Sequence, residues 1–160
     1  MKSTAVKTNA IRLLTQKKAM FQVISYEPPE QVLTGAEVAA ILGKAPAKVF
    51  KTLVTTGRSG EHYVFMIPVT AELDLKKAAE AAGEKNIAML KAKDLLGLTG
   101  YVHGGCSPVG MKKQFVTFLD KSALEQGAIV LSGGKIGVHI EITPDELRKA
   151  VPFTIAELTG

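Results

Sequence analysis

Val49-Phe50-Lys51-Thr52-Leu53-Val54-Thr55-Thr56 and His62-Tyr63-Val64-Phe65-Met66-Ile67-Pro68-Val69 are two runs rich in β-branched and aromatic residues, and Gly57-Arg58-Ser59-Gly60-Glu61 separates them. The pair predicts a β-hairpin with a five-residue loop. Within the first run, a period of two puts Lys51 on the side of Val49 and Leu53, while Phe50 and Val54 line the other. Both sides are apolar, so the ammonium has to emerge from a largely buried strand. Two readings stay open. Lys51 is either a gatekeeper or snorkelling lysine on an edge strand, or it stands in a pocket where it neutralises an anionic or developing negative charge.

On the N-terminal side, Phe21 to Tyr26 alternates as a short strand and is stopped by Glu27-Pro28-Pro29. Thr34 and Glu37 form a capping box ahead of Val38, Ala39, Ile41 and Leu42, with Gly43 placed to end the helix. Before the strand, Val6, Ala10, Leu13 and Leu14 recur at helical spacing. On the C-terminal side, Asp74 caps a helix through Ala82 that Gly83 stops, and Lys91 to Leu96 predicts another short helix before Gly97. Strands are expected at Phe115 to Leu119, Ala128 to Leu131 and Val138 to Ile142. Thr143, Pro144 and Glu146 start a last helix. Hairpins mix with isolated helices and βα units do not alternate, which favours α+β over a doubly wound parallel sheet.

The chain has 160 residues, 46% hydrophobic and 22% charged, and is expected to fold as one domain over 1–160. Its single cysteine, Cys106, excludes an intramolecular disulfide framework. No apolar run approaches the roughly 20 residues of a membrane span, and the lysine-studded start does not resemble a secretory signal. The expected location is the cytoplasm. The net charge of +5 sits in one place: residues 1–20 carry Lys2, Lys7, Arg12, Lys17 and Lys18 with no acid, and the remainder balances. That segment is either a solvated amphipathic helix or a foothold for polyanions.

Chemistry could also sit in two glycine segments, Gly104-Gly105-Cys106-Ser107-Pro108-Val109-Gly110 and Ser132-Gly133-Gly134-Lys135-Ile136-Gly137. Either they are ordinary turns, or they let a ligand approach backbone N–H groups. Neither has the spacing of a nucleotide-binding loop. His103 and Cys106 have the separation of a metal-ligand pair, but His62 and His139 add no informative spacing, so no metal is expected. A Cys106 nucleophile with His103 or His139 as base lacks a local signature, and a small buried thiol is the simpler reading. Carboxylates are sparse, Glu141 being the nearest, which gives a two-carboxylate hydrolase no support.

Val49-Phe50-Lys51-Thr52-Leu53, Leu73-Asp74-Leu75-Lys76-Lys77-Ala78, Thr99-Gly100-Tyr101-Val102-His103-Gly104-Gly105-Cys106-Ser107-Pro108 and Ser132-Gly133-Gly134-Lys135, in this order, resemble the YbaK/EbsC family of trans-editing enzymes. These are related to the editing domain inserted in bacterial prolyl-tRNA synthetase, and the branch most similar is the cysteinyl-tRNA(Pro) deacylase. The resemblance implies a mixed, largely antiparallel barrel-like sheet with surrounding helices. It also implies hydrolysis of mischarged aminoacyl-tRNA, with no cofactor and with prolyl-tRNA synthetase as protein partner. Lys51 falls on the family's essential lysine. Tyr26, Thr52, Gly104, Ser107, Ser132, Gly133 and Gly134 map onto its pocket-forming segments. An alanyl-tRNA(Pro) deacylase of the same family and a non-catalytic tRNA- or synthetase-binding module are the alternatives. The chain departs from the family pattern at Cys106, Ile136 and His139.

Overall fold

The hairpin forms where its pattern predicts it. In a computed structural model describing residues 7–160, strand β2 spans Phe50–Gly57 and β3 spans His62–Pro68. They pair antiparallel from Phe50↔Pro68 to Thr56↔His62, and β2 takes in Gly57. The expected helix at the start is α1, Asn9–Gln16, capped by the Thr8 hydroxyl; Lys2 and Val6 lie outside the described residues. Strand β1 (Gln22–Ser25) follows, then α2 (Gly35–Leu42) with both arms of the Thr34–Glu37 capping box in place. Helix α3 (Leu75–Ala82) starts at Asp74 and stops at Gly83, which has φ +72°.

Two short strands were not foreseen, β4 (Ile87–Met89) and β8 (Thr154–Ala156). Helix α4 (Ala92–Thr99) runs through Gly97, where a stop was expected. Its C-cap is Gly100, whose φ of +88° ends the helix, whereas Gly97 tolerates helical geometry at modest cost. Strand β5 is Val116–Asp120. Strand β6 extends over Ile129–Lys135, past its expected end at Leu131. Ser132 still pairs with His139 of β7 (Val138–Ile142), and a register shift between Ser132 and Lys135 absorbs the two glycines as a bulge. The reversal is thereby pushed on to Ile136-Gly137. Helix α5 (Pro144–Leu147) is a single turn capped by Thr143.

The strands make two sheets, β1-β7-β6 and β4-β2-β3-β5-β8. Pairing is antiparallel except at β3·β5 and β5·β8, so the architecture is the mixed, largely antiparallel α+β one. The pleat of β3 divides the core. Tyr63, Phe65 and Ile67 face α3, where Phe65 stacks on Phe118 at 5.2 Å. Met66 faces the other way, into the cluster formed with Leu131 and Ile140 and closed by Ala10, Ile11 and Leu14 of α1. Burying each such large side chain stabilises the fold by about 1.5–3 kcal/mol. Among the described residues no helix is long and apolar enough to cross a membrane.

Candidate active site

Where the two sheets meet, a single parallel bridge joins Val49 to Val130. Two residues onward from each partner stand Lys51 and Ser132. With a side-chain period of two and the same strand direction, both return to the face of the bridging valines. Beyond the bridge the strands are not zipped together. Strand β2 is paired with β4 only over Thr55–Gly57, so along Phe50–Leu53 its second edge borders a cleft of about 360 Å³. Lys51, Thr52, Gly104, Cys106, Ser132 and His139 line it, and Leu33, Val38 and Val69 give it an apolar wall. Helix α2 supplies part of that wall because Gly35 lets its first turn rest on Val69; a Cβ there would come within 2.6 Å of the valine Cβ.

Lys51 is half-buried and has no ion-pair partner among the described residues. None of the residues lining the cleft is a carboxylate. Glu141, the nearest by sequence, is held by Lys44 at 3.0 Å and Lys48 at 3.9 Å. The cleft therefore carries an uncompensated cation with a low-dielectric wall, a setting that favours an anion or a carbonyl oxygen gaining charge. Two residues of the lining also carry occluded polar atoms, Thr52 Oγ1 and His139 Nδ1, and neither has a hydrogen-bond partner. Each would cost about 1–3 kcal/mol if left so; Ser122 Oγ, outside the cleft, is in the same state. His139 is 8% exposed, and burial pushes its pKa down to about 4, leaving a neutral imidazole at pH 7. The ring of Tyr26 stacks on it at 5.9 Å and 18°.

Cys106 also borders the cleft but is no nucleophile in waiting. Burial pushes its thiol up to about 11, and only the thiolate attacks. His103 lines the cleft without a hydrogen bond to Cys106, and His62 is elsewhere, at 3.1 Å from Thr56 Oγ1 and edge-on to Phe115. Among the described residues no three His, Cys, Asp or Glu side chains converge on a metal-sized space.

Of the residues expected to touch substrate, Lys51, Thr52, Gly104 and Ser132 come together in the cleft, and Tyr26 reaches it through His139. Ser107, Gly133 and Gly134 lie behind it. The Ser107 hydroxyl is fully buried and accepts from Val109 N at 3.2 Å. A Cβ on Gly133 would meet Val138 at 2.9 Å, and one on Gly134 would meet Tyr101 at 3.0 Å and Thr8 at 3.1 Å. A Cβ on Gly110 would meet the Tyr101 hydroxyl at 2.9 Å and Ala10 N at 3.1 Å. Most of these glycines thus make room for Tyr101 and the first turn of α1 rather than for a ligand. The sequence reading missed the neutral His139 as part of the cleft. The available signal was a ring nitrogen embedded in Val138-His139-Ile140, a strand segment buried on both faces.

The profile of the aminoacyl-tRNA editing domain family matches residues 29–150. An Enterococcus faecalis protein, named as a candidate Cys-tRNA(Pro)/Cys-tRNA(Cys) deacylase EbsC, is 44% identical over 158 residues, covering 99% of this chain and 96% of that one. A proline–tRNA ligase of Pelobacter propionicus is 29% identical over 104 residues, 65% of this chain and 18% of the ligase. A solved structure described as a candidate trans-editing enzyme for prolyl-tRNA synthetase superimposes with a TM-score of 0.82 at 25% identity, covering 97% of this chain and 99% of that one.

Proposed function

This chain belongs to the aminoacyl-tRNA editing domain family, and we propose that residues 1–160 act as one editing domain, a deacylase of mischarged tRNA, with cysteine on tRNA(Pro) as the foremost substrate and cysteine on tRNA(Cys) as a second. The observation that carries this reading is Lys51, an unpaired cation opening beside Thr52, Gly104 and Ser132 into a cleft without carboxylates. Its apolar wall suits a small side chain. The relation to a segment of a proline–tRNA ligase supports prolyl-tRNA synthetase as the partner that presents the tRNA, in the cytoplasm.

In this mechanism the ester carbonyl lies against Lys51. As the carbonyl carbon becomes tetrahedral, charge gathers on its oxygen, and the ammonium with the Ser132 hydroxyl holds that charge in a water-poor setting. The substrate's own thiol is the attacking group. Its sulfur bonds to the carbonyl carbon, the C–O bond to the ribose breaks, and the thiol proton ends on the ribose oxygen. The tRNA leaves and the cysteinyl group closes into a thiolactone that water later opens. The protein needs to supply no nucleophile, in keeping with the protonated Cys106.

The test is a deacylation panel on tRNA(Pro) charged with cysteine, alanine, serine and proline. Wild type is expected to release cysteine far faster than serine, which keeps the shape but offers a poorer nucleophile. Lys51→Ala is expected to lose about 10²–10³-fold in rate with an unchanged melting temperature. Equal rates for wild type and Lys51→Ala would remove the reaction centre. Faster release of alanine than of cysteine would make the chain an alanyl-tRNA(Pro) deacylase with water as the attacking group. Binding with no cleavage across the panel would leave a non-catalytic module.

A further inference from the structure

From Thr8 onward, the basic N-terminal segment is fastened to the back of the cleft wall. The first turn of α1 is seated by two glycines far apart in sequence. Gly134 leaves space for Thr8, and Gly110 leaves space for the backbone of Asn9 and Ala10. The Thr8 hydroxyl donates to the carbonyl of Gly133, and Ala10, Ile11 and Leu14 are buried behind it. Gly133 directly follows Ser132, which lines the cleft. The other side of the bulge continues the line: Lys135 is exposed, and its backbone lies against Gly105, where a Cβ would sit 3.1 Å from the Lys135 carbonyl carbon. Gly104, the next residue, is again part of the cleft.

Lys7 and Arg12 are exposed on this anchored segment, and neither they nor Lys135 forms an ion pair among the described residues. Residues 1–20 contain no acid; the carboxylate of Glu146, which accepts from Met20 N at 2.7 Å, is itself paired with Lys149. Exposed cations on segments packed against residues that line or adjoin the cleft fit a polyanion whose end must enter that cleft. We propose that Lys7, Arg12 and Lys135 form a phosphate track that carries the acceptor arm of the RNA and sets its 3′ end against Lys51. This rests on the reading of the chain as an aminoacyl-tRNA deacylase. The contacts go to the backbone, so the track adds affinity without reading sequence.

The experiment compares wild type with a Lys7→Ala, Arg12→Ala, Lys135→Ala triple variant, and with the charge-preserving Lys7→Arg, Arg12→Lys, Lys135→Arg variant. Binding of uncharged tRNA(Pro) is measured from 50 to 200 mM salt, which does not depend on any cleavage. The alanine variant is expected to bind on the order of tenfold more weakly or worse, with a slope of log affinity against log salt reduced by about 2–3, while the charge-preserving variant keeps the wild-type slope. On charged tRNA the alanine variant should raise KM by a similar factor at unchanged kcat. Cleavage of 3′-cysteinyl-adenosine, which has no phosphate, should not change. Unaltered tRNA affinity and slope would overturn the track, as would an equal loss on cysteinyl-adenosine. A defect that appears only with prolyl-tRNA synthetase added would also overturn it, by making the surface a protein dock. Failure of wild type to cleave any charged tRNA would instead strike the deacylase reading, and the binding measurement would still decide the track.

Discussion

At position 139 the fold holds a titratable ring in a place that suits only its neutral form. The imidazole is pushed from the ordinary 6.5 to about 4, with desolvation as the cause. Between these values the unfolded chain binds a proton that the folded one refuses. Stability is therefore complete above about pH 6.5 and is lost as the pH falls toward 4, by up to about 1.4 kcal/mol per unit. Urea denaturation at pH 7.0 and 5.0 should show wild type losing about 2 kcal/mol more than His139→Gln; equal losses would mean the ring is solvated. Cys106 behaves in the opposite sense, since its thiol is pushed up to about 11. It should react with iodoacetamide at pH 7.5 orders of magnitude more slowly than a free thiol, and Cys106→Ser should keep full turnover. Lys51 was legible in the sequence because a charge in a strand apolar on both sides breaks a simple pattern. His139 was not, because a histidine among valine and isoleucine has the same pattern whether it packs in a core or borders a cleft, and only the partner strands decide which.

Elements with their own stop and start chemistry were legible for a local reason. The Thr34–Glu37 box and the Asp74 and Thr143 caps each satisfy N–H groups within four residues, so no distant part of the chain can overrule them. Strands β4 and β8 have three residues each and owe their existence to the edges they cover, Gly57 and its neighbours in one case and Phe118–Asp120 in the other. No local pattern encodes that. The two readings of the glycine segments could not be separated in sequence for the same reason: their positive φ values are local, but what crowds them is not. Gly110 has φ +80° and meets Tyr101 and α1. Gly110→Ala is expected to destabilise the protein by about 2–4 kcal/mol through backbone strain and overlap. It should also raise amide exchange in α1 above that in α3, which hydrogen-exchange mass spectrometry would report. Thr34→Ala should cost about 1 kcal/mol.

Across the whole molecule, the C-terminal segment completes the five-stranded sheet. Asp120 is buried, accepting from Ser122 N at 3.1 Å and from Leu158 N at 2.9 Å, and Leu158 is fully buried against the α3 face of the core. Removing residues 154–160 would uncover the free edge of β5 and the space under Leu158. A lower melting temperature and concentration-dependent aggregation are expected by light scattering, as for any unprotected strand edge. The join between the sheets has a different consequence. Because the Val49–Val130 bridge runs parallel and Lys51 and Ser132 each lie two steps beyond it, these two cleft-lining residues stay opposite one another however long the connecting loops become. Lengthening the chain at 57–61 leaves them facing. Inserting or deleting one amino acid between 49 and 51, or between 130 and 132, turns one of them to the far side of its strand. A gene encoding this protein can accept insertions in most of its surface loops, yet a single-codon change at either of these two short intervals would separate the cation from the hydroxyl.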